Sequence, residues 1–225
     1  MPSPDDVRRM FSRLAPRYDV FNRWASFGLD AFWRERVAGR LRAGEDILDL
    51  GCGTGDLTLL AAEKGCRVVG LDFSEDMLEI ARRRRPSLEW IQAEAMRIPL
   101  PDGRFDAVVS AFLLRNLYRS GALDGTLREA RRLLKNGGRL IFLDLSLPAN
   151  PVLRFGHAVY LHTILPLVGR IAAGASWPGR YLTDSIEAFP PTPAIRDSLE
   201  SAGFQDPGIE SFYGGVISLI TAKKP

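Results

Sequence analysis

Short apolar runs along this chain alternate with stretches in which apolar residues recur every three or four positions, the mark of buried strands separated by amphipathic helices. Ile47, Leu48 and Leu50 make a strand too apolar to alternate, as in a sheet covered on both faces. Residues 67–71, a strand opening at Trp90-Ile91 and leading to Glu94, and residues 105–110 and 139–143 have the same character. The spacing between them predicts a helix over 56–64, ended by Gly65, and another after Asp72, with Ser74 as N-cap and Met77, Leu78 and Ala81 on one face. It predicts a third over 126–135, stopped by Gly137-Gly138 before the fifth strand. Thr192 caps a further helix with Pro193 at its first position, Ile195 and Leu199 pointing inward, and Gly203 at its end. Residues 209–213 and 216–222, joined by Gly214-Gly215, read as a closing antiparallel hairpin. Strand and helix alternate throughout, so the predicted fold is α/β: a doubly wound, mostly parallel sheet with an antiparallel C-terminal strand.

Two segments break the alternation. Val7, Met10, Phe11 and Leu14 give residues 5–14 an amphipathic helical face, with Asp5 and Asp6 in the first turn and a stop at Ala15-Pro16. Aromatic residues crowd the next segment, 18–33, and suit core packing or a ligand-covering lid equally. Residues 151–186 form an apolar insertion between the fifth and sixth strands. It is interrupted by Arg154, His157, His162 and Arg170, and is expected to be helical and partly exposed rather than membrane-spanning. The chain thus reads as one domain over 1–225, with a helical lid over 1–41 and a substrate-covering insertion over 151–190.

Composition adds little to this picture. With 46% apolar and 25% charged residues, 225 residues suffice for a single α/β domain with a sizeable core. The net charge of +3 points only weakly to an anionic partner such as a membrane surface. The Arg82–Arg85 run reads as a solvated helix end. Cys52 and Cys66 form no CxxC pair, no metal-ligating cluster is apparent, and the N-terminal residues lack a signal-peptide core. The expected setting is cytoplasmic, peripheral at the inner face of the membrane, without nucleic acid, and compatible with a homo-oligomer.

The chemistry is concentrated between Asp49 and Asp72. The first strand runs into Gly51, Gly53 and Gly55, where the backbone turns sharply and can approach a ligand, and the second ends on Asp72, placed to accept both hydroxyls of a ribose. A dinucleotide loop reads GxGxxG, whereas this loop reads GxGxG with Asp56 following, which sets a negative charge where a pyrophosphate would lie. The loop suits a cation. The pattern resembles class I methyltransferases, whose ligand S-adenosylmethionine (SAM) carries a sulfonium and no phosphate.

Over nearly its whole length the chain resembles the UbiE/MenG type of quinone C-methyltransferase. The likeness is carried by VRRMFSRLAPRYDVFNR (7–23), LDLGCGTGDLTL (48–59), GLDFSEDML (70–78), FDAVVSAFLLRN (105–116), LKNGGRLIFLDLSLP (134–148), YLTDSIEAFP (181–190) and YGGVISL (213–219). It implies SAM-dependent methylation of a lipophilic prenylated quinol, with cofactor contacts at Asp49, Gly51, Gly53, Thr54, Gly55, Asp72, Phe73, Met77, Glu94, Ala95 and Ser110. It also implies a catalytic arginine at Arg115, its partner at Asn116, and Tyr18 near the substrate. Leu113 stands where the family usually has Gly, Asn136 where it has Pro, Asp144 where it has Glu, Gly179 where it has Tyr, and Glu94 where it has Asp. Leu113 and Gly179 are expected near a pocket wall, so these departures bear on the substrate and leave the cofactor site intact.

Carbon methylation needs an electron-rich ring, which a quinol becomes on losing a hydroxyl proton. Arg115 is too basic to take that proton and suits phenolate stabilisation; Asp144, closing the fifth strand, is the alternative base. His157 and His162 titrate in the useful range but read as packing or interfacial residues. Methylation of another amphiphile, such as a phospholipid amine or a small phenol, and SAM binding without turnover are the competing readings.

Overall fold

The computed structural model describes residues 4–177 and 179–225; the start of the expected lid, residues 1–3, and position 178 within the expected insertion lie outside it. The chain runs α1 (Pro4–Leu14), a 3-10 turn, α2 (Tyr18–Ala25), α3 (Leu29–Ala38), β1 (Asp46–Leu50), α4 (Asp56–Glu63), β2 (Arg67–Asp72), α5 (Glu75–Arg84), β3 (Glu89–Gln92) and β4 (Phe105–Ala111). It continues with α6 (Leu114–Ser120), α7 (Leu123–Leu133), β5 (Leu134–Leu145), α8 (Pro151–Val159), a π turn (Tyr160–Ile164) and α9 (Leu165–Ala173). Last come α10 (Arg180–Glu187), α11 (Thr192–Ser201), β6 (Gln205–Phe212) and β7 (Ile217–Lys223). One seven-stranded sheet has the order β3-β2-β1-β4-β5-β7-β6, parallel except for β7, which is antiparallel to β5 and β6.

The two-residue period of β1 sorts its side chains. Leu48 and Leu50 enter a core with α6, α7 and α11, while Ile47 enters a core with α3 and α4. Asp49 shares the face of Ile47, which aims its carboxylate at α4. A third cluster joins the lid to the insertion, with Leu14 and Phe21 packed among Leu161, Leu165 and Ala172.

Four local expectations are corrected. α7 ends at Leu133 and β5 starts at Leu134, so Gly137 and Gly138 lie inside the strand. The chain end holds them there: Gly137 N–H donates to Lys224 O (3.0 Å) and Lys224 N–H to Gly138 O (2.9 Å), partners no local pattern contains. α6 was not foreseen. Ser74 holds the N-cap position of α5, but its side chain makes no capping bond; its backbone N–H donates to Asp72 Oδ1 (2.9 Å). Thr192 is the first residue of α11 rather than its cap, Pro191 holding the cap position.

Candidate active site

The carboxyl ends of β1, β2 and β4 meet at one edge of the sheet, where a switch in strand order opens a crevice. Asp49 is buried there: Oδ2 accepts a 2.6 Å hydrogen bond from Thr58, and Oδ1 has no partner. Burial pushes its carboxyl up to about 7, so an unpaired oxygen waits for a donor or a cation. Asp72 accepts from Gly53 N–H on Oδ2 (2.9 Å) and from Ser74 N–H on Oδ1, which fixes its plane and leaves each oxygen capacity for a hydroxyl; burial raises it to about 6.

A cavity of about 310 Å³ opens from this crevice, lined by Gly51, Gly53, Asp72, Phe73, Met77, Glu94, Ala95, Leu113 and Asn116 among others. Leu113 closes on the glycine loop, 2.9 Å from where a Cβ on Gly51 would lie; with φ at +70° that position takes glycine for both reasons. Asp49 borders a smaller hollow that shares Tyr18, Gly51, Gly53 and Ala111 with this cavity. An unpaired buried carboxylate, a ribose-type acid and a glycine-rich loop fit SAM; Asp56 at the loop end is paired with Arg84 (2.8 Å) and Arg34 (3.6 Å).

The lid closes this cavity. Arg8 pairs with Glu94 and lies 5.7 Å over the Phe73 ring, Phe11 meets Phe73 edge-on, and Thr54 Oγ1 donates to Asp19 Oδ1 (2.6 Å). Arg84 is no solvated helix end: it reaches Asp56 (2.8 Å), Thr54 O (3.0 Å) and Asp19 (3.4 Å).

A second cavity, of about 290 Å³, lies between lid and insertion and is lined largely by apolar groups, with Arg115, His157, Tyr160 and Tyr213 on its wall. Phe11, Tyr18, Phe112 and Tyr181 border both cavities, so the two spaces meet at these rings. Phe112 has φ at +67°, which costs a non-glycine residue of order 1–3 kcal/mol. The turn is held because Phe112 N–H donates to Leu143 O (2.7 Å), while Phe112 O accepts from Arg115 Nη1 (3.0 Å) and Asn116 Nδ2 (3.4 Å). Asn116 Oδ1 accepts from the Tyr181 hydroxyl (3.2 Å).

The structure brings Tyr18, Arg115 and Asn116 to these walls but sets Asp144 behind them. Asp144 lines neither cavity; Oδ2 accepts from Arg115 N–H (2.9 Å), Oδ1 from the Arg115 guanidinium, and Leu145 N–H adds a third bond (2.7 Å). It clamps the arginine and is not a base facing substrate. Burial pushes its carboxyl up and the guanidinium opposes that. Two expected cofactor contacts are also displaced. Ser110 is buried in the sheet, its hydroxyl donating to Leu50 O (2.6 Å). Gly55 makes room for Trp90, whose ring would lie 2.7 Å from an added Cβ. Thr54 borders the small hollow with Asp49, its hydroxyl engaged by Asp19. Gly179 lies on neither main cavity, and Leu113 is on the cofactor side, so the departures do not divide as expected. Sequence reasoning passed over Asn22, Trp33 and His157 on the second cavity; the unforeseen strain at Phe112 had no local signal.

A model of the ubiE/COQ5 methyltransferase family matches residues 3–224. A demethylmenaquinone methyltransferase of Thermus thermophilus is 41% identical over 203 residues, 87% of this chain and 91% of that one. The ubiquinone/menaquinone biosynthesis C-methyltransferase UbiE of Hahella chejuensis is 35% identical over 97% of this chain and 91% of its own. Among solved structures, a SAM-dependent methyltransferase of Thermotoga maritima superposes with a TM-score of 0.66 at 19% identity, over 96% of this chain and 99% of that one. The [4+2]-cyclase SpnF gives 0.69 at 20% identity over 100% and 97%. At such identities the structures show the shared class I methyltransferase fold and no more.

Proposed function

The chain belongs to the ubiE/COQ5 methyltransferase family, and from that we propose that it transfers the methyl group of SAM to a ring carbon of a prenylated quinol, demethylmenaquinol or a close relative, in quinone biosynthesis. SAM supplies an electrophilic methyl group on a sulfonium. Asp49, with its unpaired oxygen, would hold the ammonium and Asp72 the ribose. Phe73, Met77, Glu94 and Ala95 border the remainder. The observation that carries the substrate reading is the apolar second cavity meeting the cofactor cavity at Phe11, Tyr18, Phe112 and Tyr181. A flat aromatic ring fits such a junction, and the cavities hold donor and acceptor together, worth ~7–11 kcal/mol of a bimolecular barrier. Arg115, held by Asp144, stabilises negative charge on a ring oxygen. The relatives, named demethylmenaquinone methyltransferase and UbiE C-methyltransferase, favour a quinol over a phospholipid amine.

We place the enzyme at the cytoplasmic face of the membrane. The stretch Pro151–Ser176 is long and apolar enough by composition to cross a bilayer, yet its inner side packs on the lid through Leu161 and Leu165. Its outer side exposes Val152, Phe155, Leu167 and Ile171 alongside Arg154 and Arg170. Lying in the interface lets a prenyl tail stay in the bilayer, since each CH₂ drawn into water costs ~0.8 kcal/mol. Purified protein incubated with SAM and demethylmenaquinol should yield a quinol heavier by one CH₂ in mass spectrometry; no product on any quinol would overturn the reading.

A further inference from the structure

Asn22, Trp33 and His157 border the second cavity, and each carries a buried polar atom with no hydrogen-bond partner: Nδ2, Nε1 and Nδ1. In an otherwise apolar wall, unpaired atoms of this kind mark a ligand that completes them. The first two are donors, and an imidazole nitrogen donates or accepts according to tautomer, so the partner carries oxygen.

His157 alone of the three can exchange a proton near neutrality. The other ionisable groups bordering the cavity are Tyr18, Asp30, Arg115, Tyr160, Tyr181 and Tyr213. Asp30 spends its oxygens on Arg34 (2.7 Å) and Ser26 (3.1 Å), and Arg115 is bound to Asp144. Burial pushes the hydroxyls of Tyr18, Tyr160 and Tyr181 up, that of Tyr160 to about 12. The His157 ring stacks on Tyr160 at an angle of 8°, and the Tyr160 hydroxyl donates to Ala25 O, so the imidazole is set in the wall between insertion and lid. Burial favours its neutral form, the one that accepts a proton.

We propose that His157 is the catalytic base of this chain, its imidazole receiving the proton of a quinol ring hydroxyl. The inference rests on the quinol reading above. The O–H bond breaks with its electron pair kept on oxygen, leaving a phenolate in a cavity that also offers the Asn22 and Trp33 donors. The ring carbon then forms its bond to the methyl group while the C–S pair stays with sulfur. Loss of the C–H proton from that carbon restores the aromatic ring, the phenolate oxygen regains a proton, and the partly exposed imidazolium returns its own to water. The sum is sulfonium plus quinol giving thioether, methylated quinol and one proton.

The chain has two histidines, and His162 is paired with Glu187 at the surface, so their imidazole resonances can be told apart. Anaerobic titration with 2-methyl-1,4-naphthalenediol, without SAM, should shift the His157 resonances and leave those of His162 in place. His157→Gln should lower kcat on demethylmenaquinol by about 100-fold, leave SAM affinity and KM within about threefold, and abolish the acid limb of the kcat/KM profile. If the Gln variant fails to fold, His157→Asn is read by the same limb. Wild-type kcat in the folded variant, a surviving acid limb, or resonances indifferent to the diol would overturn the assignment. A wild type inactive on every quinol would overturn the substrate reading, and this inference with it.

Discussion

Thr54, in the glycine loop, donates a 2.6 Å hydrogen bond to Asp19, in the lid helix α2. Arg84 reinforces the same junction from α5, so one aspartate ties the lid to two sides of the cofactor site. Asp19→Ala should therefore weaken SAM binding by roughly tenfold, the scale of one hydrogen bond to a charged group. It should also open α1 to limited proteolysis. SAM titration calorimetry and proteolysis with and without SAM check this; a variant as closed as wild type would show that α1 is held by packing alone.

The buried Asp49 predicts a pH dependence. Its folded-state carboxyl stands at about 7, above the ordinary value of 3.8, so the ligand-free fold gains stability from this group at low pH and loses it as pH rises through about 7. A cationic ligand prefers the ionised form, so binding must run the other way. SAM affinity should fall about tenfold per pH unit below 7, with Asp72 steepening the fall below its own value of about 6. Asp49→Asn should bind weakly and lose the dependence near 7. Calorimetry between pH 5.5 and 8 reads both effects; equal slopes in wild type and Asn variant would remove Asp49 from the cationic site.

Asp72 and Arg115 should separate binding from turnover. Asp72→Ala should lose ~1.5–3 kcal/mol of SAM binding. Arg115→Ala should cut kcat by about 100-fold with little change in SAM affinity. Asp144→Ala removes the clamp and strands a buried guanidinium, so its main signature should be a stability loss of ~3–5 kcal/mol in denaturant titration. Equal losses of kcat and SAM binding on Arg115→Ala would contradict its placement on the substrate side.

The exposed apolar side of the insertion should bind anionic vesicles in a salt-sensitive way. At ~1 kcal/mol per basic residue near a charged surface, Arg154→Glu with Arg170→Glu should weaken binding by about twentyfold or more. Turnover of a tail-less quinol analogue should be largely retained. Sedimentation with phosphatidylglycerol vesicles measures the first and product formation the second. Absent binding, or a changed oligomeric state in the double variant, would make the segment a structural contact.

The sequence by itself determined what depends on neighbours along the chain. Strand period, the turn through Gly51 and Gly53, and the acid closing each of the first two strands are local, and they were enough for the parallel sheet, the antiparallel finish and a cationic nucleoside ligand. Tertiary structure decided which residues face that ligand. Ser110 and Gly55 sit within the motif yet support the sheet and the Trp90 ring, because packing across strands turned them inward. Asp144 ends a strand as a base might, but a buried arginine at the start of α6, 29 residues earlier, consumed its oxygens. His157 read as a packing or interfacial residue on an apolar helix, since nothing local says that the lid leaves a cavity beside it. A side chain's chemistry is written in the sequence, whereas its freedom to react depends on which distant groups have already satisfied it.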